Sequence, residues 1–167
     1  QWENSSGKYN ETLTSDPDAG SNIYRITKTG LLTGTYNFTA FINDSAGNIN
    51  STAKRNVTID LNIPIIEFVL STPGNNSYVN ANILFVNVSV ITKNFANITF
   101  FLYNNTNSLT LVNKTIYTTL SSNNISNISW RILNDGVYYY NVTANNTAGN
   151  NGSSETRTLT RDTIYPL

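Results

Sequence analysis

The most constraining feature of this chain is an ungapped internal repeat. Residues Gly34–Asn48 align with residues Gly136–Asn150 at an offset of 102 positions. The same register extends to residues 34–65 on 136–167, which are 32 positions with 11 identities. The identities after Asn48 include Arg55 with Arg157, Thr58 with Thr160, Asp60 with Asp162 and Pro64 with Pro166. A high asparagine content can produce chance matches of Asn to Asn. It does not explain why Gly, Tyr, Ala-Gly-Asn, Arg, Asp and Pro also match in one ungapped frame. The sequence therefore predicts two copies of one unit.

A period of about 100 residues is the size of a domain rather than of a solenoid repeat. We therefore expect a complete domain at residues 63–162 and the C-terminal part of an equivalent domain at residues 1–62. Residues 163–167 resemble the opening of the complete domain, and we expect them to be a linker or the first strand of a following domain. The first domain is completed either by residues before Gln1, in a longer tandem array, or by a neighbouring chain, as in donor-strand assembly.

Apolar and polar residues alternate along the complete copy, which is the period of β-strands. The predicted strands are 65–70, 84–91, 97–102, 109–117 at a sheet edge, 125–133, a strand around 138–144, and 154–161. The residues predicted to face the core are Leu84, Val86, Val88, Val90, Ile98, Phe100, Leu102, Ile128, Trp130, Ile132, Tyr138, Tyr140, Val142 and Ala144. Seven short strands separated by Gly, Asn and Pro turns indicate an all-β fold of Greek-key β-sandwiches.

Each copy also contains a tyrosine two residues after a glycine, at Tyr36 and Tyr138. This spacing is typical of a tyrosine corner, in which the phenolic hydroxyl hydrogen-bonds to the main chain. We therefore expect both hydroxyls to bond to nearby backbone groups.

The segment Asp135–Asn150, followed by Thr156–Pro166, resembles the end of the Ig-like repeats that occur in tandem in bacterial and archaeal cell-surface proteins. The resemblance covers both copies. It implies tandem Ig-like domains in an extracellular stalk, adhesin, sheath or filament without enzymatic activity. The family commonly has Asp where this chain has Asn145 or Asn146, although Asp44 is present in the first copy. This departure weakens any calcium role that the resemblance implies.

Composition excludes several other classes of function. The chain has no Cys and no His, so disulfides, thiolate chemistry, the usual zinc sites and imidazole catalysis are absent. Ten basic residues balance ten acidic ones, which leaves no cationic field for nucleic acid. A Ser–Lys catalytic pair has no supporting motif, and no apolar run is long enough for a membrane helix. We predict no enzyme activity, no cofactor and no membrane span in this segment.

Asparagine is unusually frequent, with 29 in 167 residues, and it forms many Asn-X-Ser/Thr sequons. Chance pairing with 39 Ser and Thr residues gives about 7 sequons, whereas the chain has sixteen. Polar alternation in strands explains part of the excess, because residues two apart share a face. We expect N-linked glycans on some of them. The candidate acceptors are Asn4, Asn10, Asn37, Asn43, Asn50, Asn56, Asn75, Asn87, Asn97, Asn104, Asn113, Asn124, Asn127, Asn141, Asn145 and Asn151.

Four aspartates are minor candidates for calcium ligands. Asp16 and Asp18 lie in an Asp-Pro-Asp-Ala-Gly segment that is more typical of a turn. Asp60 and Asp162 lie at the predicted domain ends. We predict no metal site.

Two further interpretations concern individual side chains of the complete copy. Lys93 or Lys114 is a candidate for a Lys–Asn isopeptide crosslink of the kind known in some surface Ig-like domains. Phe101, Tyr103 and Tyr139 are candidates for a sugar-binding platform, for aromatic filler or for a contact between domains.

The sequence thus predicts a structural component of an extracellular filament, stalk or sheath on a cell surface, built from repeated glycosylated Ig-like domains. Its expected partners are further copies or adjacent repeats, arranged head-to-tail. Two alternatives are an adhesin or carbohydrate-binding module and an accessory domain of a larger secreted enzyme. Because only ten residues carry carboxylates, we also expect low sensitivity of folding to pH.

Overall fold

The computed structural model describes residues 1–4, 6–15, 23–105, 109–132 and 134–164. These residues form two compact units, Gln1–Leu61 and Asn62–Leu167, which we call unit 1 and unit 2. The secondary structure of the described residues is strand, apart from one 3-10 turn at Ser122–Asn124, and the chain is therefore all-β. No helix among them is long and apolar enough to cross a membrane.

The described residues of unit 1 form eight short strands. Their bounds are β1 Trp2–Asn4, β2 Gly7–Tyr9, β3 Thr14–Ser15, β4 Tyr24–Arg25, β5 Gly34–Phe38, β6 Phe41–Asn43, β7 Ile49–Ser51 and β8 Arg55–Ile59. One sheet has the order β2-β1-β5-β8, and two-stranded ladders join β3 to β4 and β6 to β7.

In the part of unit 2 that the structure describes, nine strands form two sheets. Their bounds are β9 Ile65–Phe68, β10 Ser77–Val79, β11 Ile83–Ile91, β12 Phe95–Asn105, β13 Leu109–Tyr117, β14 Ile125–Arg131, β15 Gly136–Asn146, β16 Asn151–Ser153 and β17 Arg157–Arg161. The larger sheet has the order β10-β17-β15-β12-β13, with β16 also paired to β15, and the smaller sheet has the order β14-β11-β9. The predicted edge position of residues 109–117 is confirmed, because β13 is the last strand of the larger sheet.

The two sheets of unit 2 bury their alternating apolar residues in a single hydrophobic core, an arrangement consistent with a β-sandwich. On β11 every second side chain is at most 1% exposed, from Leu84 to Val90. Burying each of these side chains contributes about 1.5–3 kcal/mol. All fourteen residues predicted to face the core are buried, and Ile66 and Leu159 complete the core from β9 and β17.

Several strand boundaries differ from the prediction. The first strand ends at Phe68 instead of residue 70, and β14 ends at Arg131 instead of residue 133. Strands β12 and β15 extend beyond the predicted 97–102 and 138–144 at both ends, and the predicted strand 154–161 is shortened to β17. Strand β10 is not predicted at all, because only three residues pair, in parallel, with a strand about 80 positions away (Ser77 opposite Leu159). Such a short parallel pairing leaves no local periodicity in the sequence.

Both predicted tyrosine hydrogen bonds are confirmed. The Tyr36 hydroxyl donates to the carbonyl of Leu32 at 2.9 Å, and the Tyr138 hydroxyl donates to the carbonyl of Asn134 at 2.9 Å. Donor and acceptor are four residues apart in each unit, and both pairs are related by the offset of 102. Each tyrosine is 6% exposed.

Candidate glycan acceptors and contact surfaces

The turn after β6 is organised by the side chain of Asp44. Its Oδ1 accepts the main-chain N–H groups of Ala46 at 3.0 Å and Asn48 at 2.9 Å, and its Oδ2 accepts the Asn48 side-chain amide at 2.8 Å. The Asn48 side chain, followed by the main-chain donors of the turn, lowers the pKa of this carboxyl below its usual value. Gly47 adopts a φ of 88°, which glycine tolerates better than residues with a Cβ.

The turn after β15 repeats this geometry around Asn146. Its Oδ1 accepts the N–H groups of Ala148 at 3.1 Å and Asn150 at 3.0 Å, and Gly149 has a φ of 88°. In addition, the Asn146 side-chain amide donates to the carbonyl of Asn62 at 3.1 Å. A carboxylate has no proton to donate there, which explains why an amide occupies this 2% exposed position.

Two of the four aspartates considered as calcium ligands lie among the described residues. Asp16 and Asp18 lie outside the described residues. Asp162 accepts the N–H of Ile164 at 2.9 Å, and Asp60 is 9% exposed near the end of unit 1. Among the described residues there is no group of three or more acidic, His or Cys side chains that could hold a metal ion.

The sequon asparagines fall into two groups by exposure. The half-buried ones are Asn4, Asn37, Asn87, Asn97, Asn104, Asn141 and Asn145. The exposed ones are Asn10, Asn43, Asn50, Asn56, Asn75, Asn113, Asn124, Asn127 and Asn151. Since sugar is attached through the side-chain nitrogen, the partners of that atom also distinguish the sites.

Three sequon asparagines form a ladder across three neighbouring strands. The Asn151 amide donates to Oδ1 of Asn145 at 2.8 Å, and the Asn145 amide donates to Oδ1 of Asn97 at 2.9 Å. This arrangement joins β16, β15 and β12. It depends on strand register, which the sequon pattern alone does not reveal.

Other sequon amides also act as hydrogen-bond donors. The Asn37 amide donates to the Glu3 carboxylate at 3.2 Å, and the Asn141 amide donates to the Thr156 hydroxyl at 3.0 Å. The Asn87 amide lies 3.4 Å from the carbonyl of Leu70. These three side chains therefore have a structural use independent of glycosylation.

Asn113 on β13 is bonded differently, through its oxygen. Its Oδ1 accepts the Trp130 indole N–H at 3.0 Å and the Thr115 hydroxyl at 2.7 Å. Trp130 belongs to the other sheet, so this bond links the two sheets. The Asn113 side-chain nitrogen has no hydrogen-bond partner in the described part of the chain.

The aromatic candidates lie together on the outer face of the larger sheet. The rings of Phe101 and Tyr103 are 6.2 Å apart and inclined by 14°, and Tyr103 is directly opposite Tyr139. Lys114, one of the two candidates for an isopeptide crosslink, has its ammonium group 5.7 Å from the centre of the Phe101 ring. Its contact is therefore with an aromatic ring. Lys93 lies in the exposed turn between β11 and β12.

Unit 1 exposes apolar side chains at positions whose counterparts in unit 2 are buried. Phe38 is 39% exposed, whereas Tyr140, 102 residues later, is 0% exposed. Ile42 is 65% exposed, whereas Ala144 is 0% exposed. Tyr36 is the exception, because the Trp2 ring stacks on it at 5.2 Å.

An open groove of about 1230 Å³ follows this apolar face of unit 1. Its apolar lining includes Trp2, Ile26 and Phe38. The charged residues of the lining, Glu11 and Lys28, form an ion pair with each other. The lining also contains polar side chains, among them Asn10, Thr39 and Asn50.

No protein-family model matches the chain, and no curated protein is similar enough to match. An engineered protein of known crystal structure superposes with a TM-score of 0.47 at 16% identity, over 59% of this chain and 20% of its own. Dimeric latent PorU from Porphyromonas gingivalis gives 0.43 at 15% identity, over 78% of this chain and 12% of its own. A superoxide reductase (neelaredoxin) from Ignicoccus hospitalis gives 0.38 at 11% identity, over 60% of this chain and 81% of its own. This chain thus spans a fifth or less of the first two proteins, and similarities at this level establish neither a family nor a function.

Proposed function

We propose that the protein is a structural component of an extracellular filament, stalk or sheath, built from tandem glycosylated Ig-like domains. The observation that carries this proposal is the recurrence of hydrogen bonds at the 102-residue offset. Tyr36 and Tyr138 make the same bond, and Asp44 and Asn146 organise the same turn. A side-chain network that recurs at one offset supports two copies of one domain-sized repeat, and a chain of such domains is an elongated structure.

Strand order supports an Ig-like Greek-key assignment for unit 2. The two sheets of unit 2 separate β9, β11 and β14 from β12, β13, β15 and β17. Consecutive strands β11 and β12 lie in different sheets, and so do β13 and β14. This alternation is the connectivity expected of such sandwiches.

The open face of unit 1 supports association with further polypeptide. In unit 2 the equivalent face belongs to a core completed by the uncharged strand β11. We propose that similar strands cover Phe38 and Ile42, supplied by residues preceding Gln1 or by a neighbouring chain. Strands from a neighbouring chain, added through a heterologous interface, give a head-to-tail arrangement of copies.

Electron microscopy of the native material, combined with intact-mass analysis, tests this function. We expect elongated particles with a regular spacing of one domain, and a mass above that of the polypeptide because of attached sugars. Compact isolated particles without such a spacing would contradict the structural role.

A carbohydrate-binding module is the second candidate, favoured by the grouping of Phe101, Tyr103 and Tyr139 on one outer face. Flat aromatic surfaces bind the apolar faces of sugar rings. Binding on a glycan array that is lost in Tyr103→Ala would support this function. Unchanged binding in that variant, or no binding by the wild type, would contradict it.

A further inference from the structure

Strand β13 is a long exposed edge of the larger sheet. It spans nine residues, while the opposite edge, β10, has only three. Its exposed apolar residues include Leu111, 48% exposed, and Ile116, 54% exposed, and its one charged residue is Lys114. Long apolar edges with few charges pair readily with other strands, and proteins normally protect them.

Asn113 lies in the middle of this edge, in the sequon Asn113-Lys114-Thr115. Its oxygen is held by Trp130 and Thr115, and its nitrogen is unpartnered in the part of the chain that the structure describes. The side chain is exposed. A substituent on the nitrogen leaves both hydrogen bonds to the oxygen intact.

We propose that Asn113 carries an N-linked glycan and that this glycan prevents β13 from pairing with another strand. The inference rests on the proposed function, which supplies the extracellular setting. In the attachment step a bond forms between Nδ2 and the anomeric carbon of the sugar. Nδ2 loses one proton, and the sugar's bond to a phosphate-ester carrier breaks, with the carrier phosphate leaving.

Asn145 provides the internal contrast. It is half-buried, its nitrogen is bonded to Asn97, and its oxygen is bonded to Asn151 on the adjacent strand. Strands lie about 4.8 Å apart, which leaves little room for a sugar between neighbouring asparagines. This sequon therefore remains largely unmodified.

The first test maps sugar occupancy on the full chain, secreted from a eukaryotic host that glycosylates Asn-X-Ser/Thr. We expect at least about tenfold higher occupancy at Asn113 than at Asn145. Occupancy at other sequons but not at Asn113 would overturn this inference and leave the proposed glycoprotein intact. Sugar at no sequon would overturn both.

The second test measures how often β13 of one copy pairs with β13 of another. An amine-reactive crosslinker is applied to a mixture of light and heavy isotope-labelled protein, so that crosslinks between copies are recognised by their mixed labels. Thr115→Val removes the sequon, whereas Thr115→Ser keeps it; Ser129→Ala removes the separate sequon at Asn127 as a control. We expect Lys114–Lys114 crosslinks between copies to increase several-fold in Thr115→Val alone. Equal crosslinking in Thr115→Val and Thr115→Ser, with all variants folded by circular dichroism, would overturn the protective role.

Discussion

The Asn146 side-chain amide donates to the main-chain carbonyl of Asn62 at 3.1 Å, joining the turn after β15 to the segment that leads into β9. Asn146→Asp replaces this donor by an acceptor at a 2% exposed position. We expect the free energy of unfolding to fall by about 1–3 kcal/mol, because a buried polar group loses its partner and a carboxylate faces a carbonyl. Urea unfolding at pH 7 measures this change.

The matched control is the reciprocal change in unit 1, Asp44→Asn. Asp44 lies in an exposed turn, and an amide oxygen accepts the same two main-chain N–H groups. We expect Asp44→Asn to change the free energy of unfolding of unit 1 much less than Asn146→Asp changes that of unit 2. Equal losses from the two substitutions would contradict the role assigned to the bond with Asn62.

Gly152 on β16 packs against the main chain of Pro64, and an added Cβ would overlap the Pro64 carbonyl oxygen. We therefore expect Gly152→Ala to destabilise unit 2 by about 1–3 kcal/mol through overpacking. Gly74→Ala is the control, because its Cβ would lie an ordinary 3.5 Å from the Ser77 hydroxyl oxygen. Thermal unfolding of both variants measures the difference, and a Gly152→Ala protein as stable as Gly74→Ala would contradict this packing.

The two tyrosine hydroxyls provide a paired test of equivalence between the units. Tyr36→Phe and Tyr138→Phe each remove one hydrogen bond of 2.9 Å while keeping the ring in place. We expect each substitution to cost about 0.5–1.5 kcal/mol in its own unit. Hydrogen exchange resolved by residue assigns each loss to unit 1 or unit 2. A loss in only one of the variants would show that the tyrosines are not equivalent.

Acid sensitivity depends on a few carboxyls, of which Asp135 is the clearest. The main-chain N–H and hydroxyl of Thr163, with the Arg161 guanidinium nearby, lower the pKa of Asp135 below 3.8. A lowered pKa in the folded state means that this stabilisation is complete above the unfolded value and is lost as pH falls through the folded value.

We therefore expect the urea midpoint to stay constant from about pH 7 to pH 5 and to fall only below about pH 4. The lowered pKa values of Glu3 and Asp44 act in the same direction, through hydrogen bonds from Lys54 and Asn48. In Asp135→Asn we expect the urea midpoint to fall less steeply as the pH is lowered, because the substituted side chain no longer titrates. A midpoint that falls steeply between pH 7 and pH 5 would contradict this account.

The sequence predicts the fold best where alternation is long and one face is fully buried, as on β11 and β15. It fails where pairing is remote or irregular: β10 pairs with the distant strand β17, and the register of β12 with β13 shifts between Leu102 and Tyr103. Residues 1–33 lie before the ungapped alignment, which begins at Gly34, and the sequence pattern assigns no strand bounds there.

The sequence predicts which types of residue could form the candidate sites, but it does not predict which of these residues lie next to each other. The grouping of Phe101 and Tyr103 with Tyr139 follows from strand register, as does the amide ladder through Asn145. The bond between Trp130 and Asn113 joins two sheets, and no spacing in the sequence indicates it. These relations appear only when the strands are assembled.

An experimental structure of the chain tests the central claim most directly, through superposition of residues 34–60 on residues 136–162. The account predicts that strands β5 to β8 coincide with β15 to β17, that both tyrosine bonds are present, and that Phe38 remains more exposed than Tyr140 unless further polypeptide covers it. Two segments with different strand paths, or a Phe38 enclosed by unit 1 itself, would contradict it.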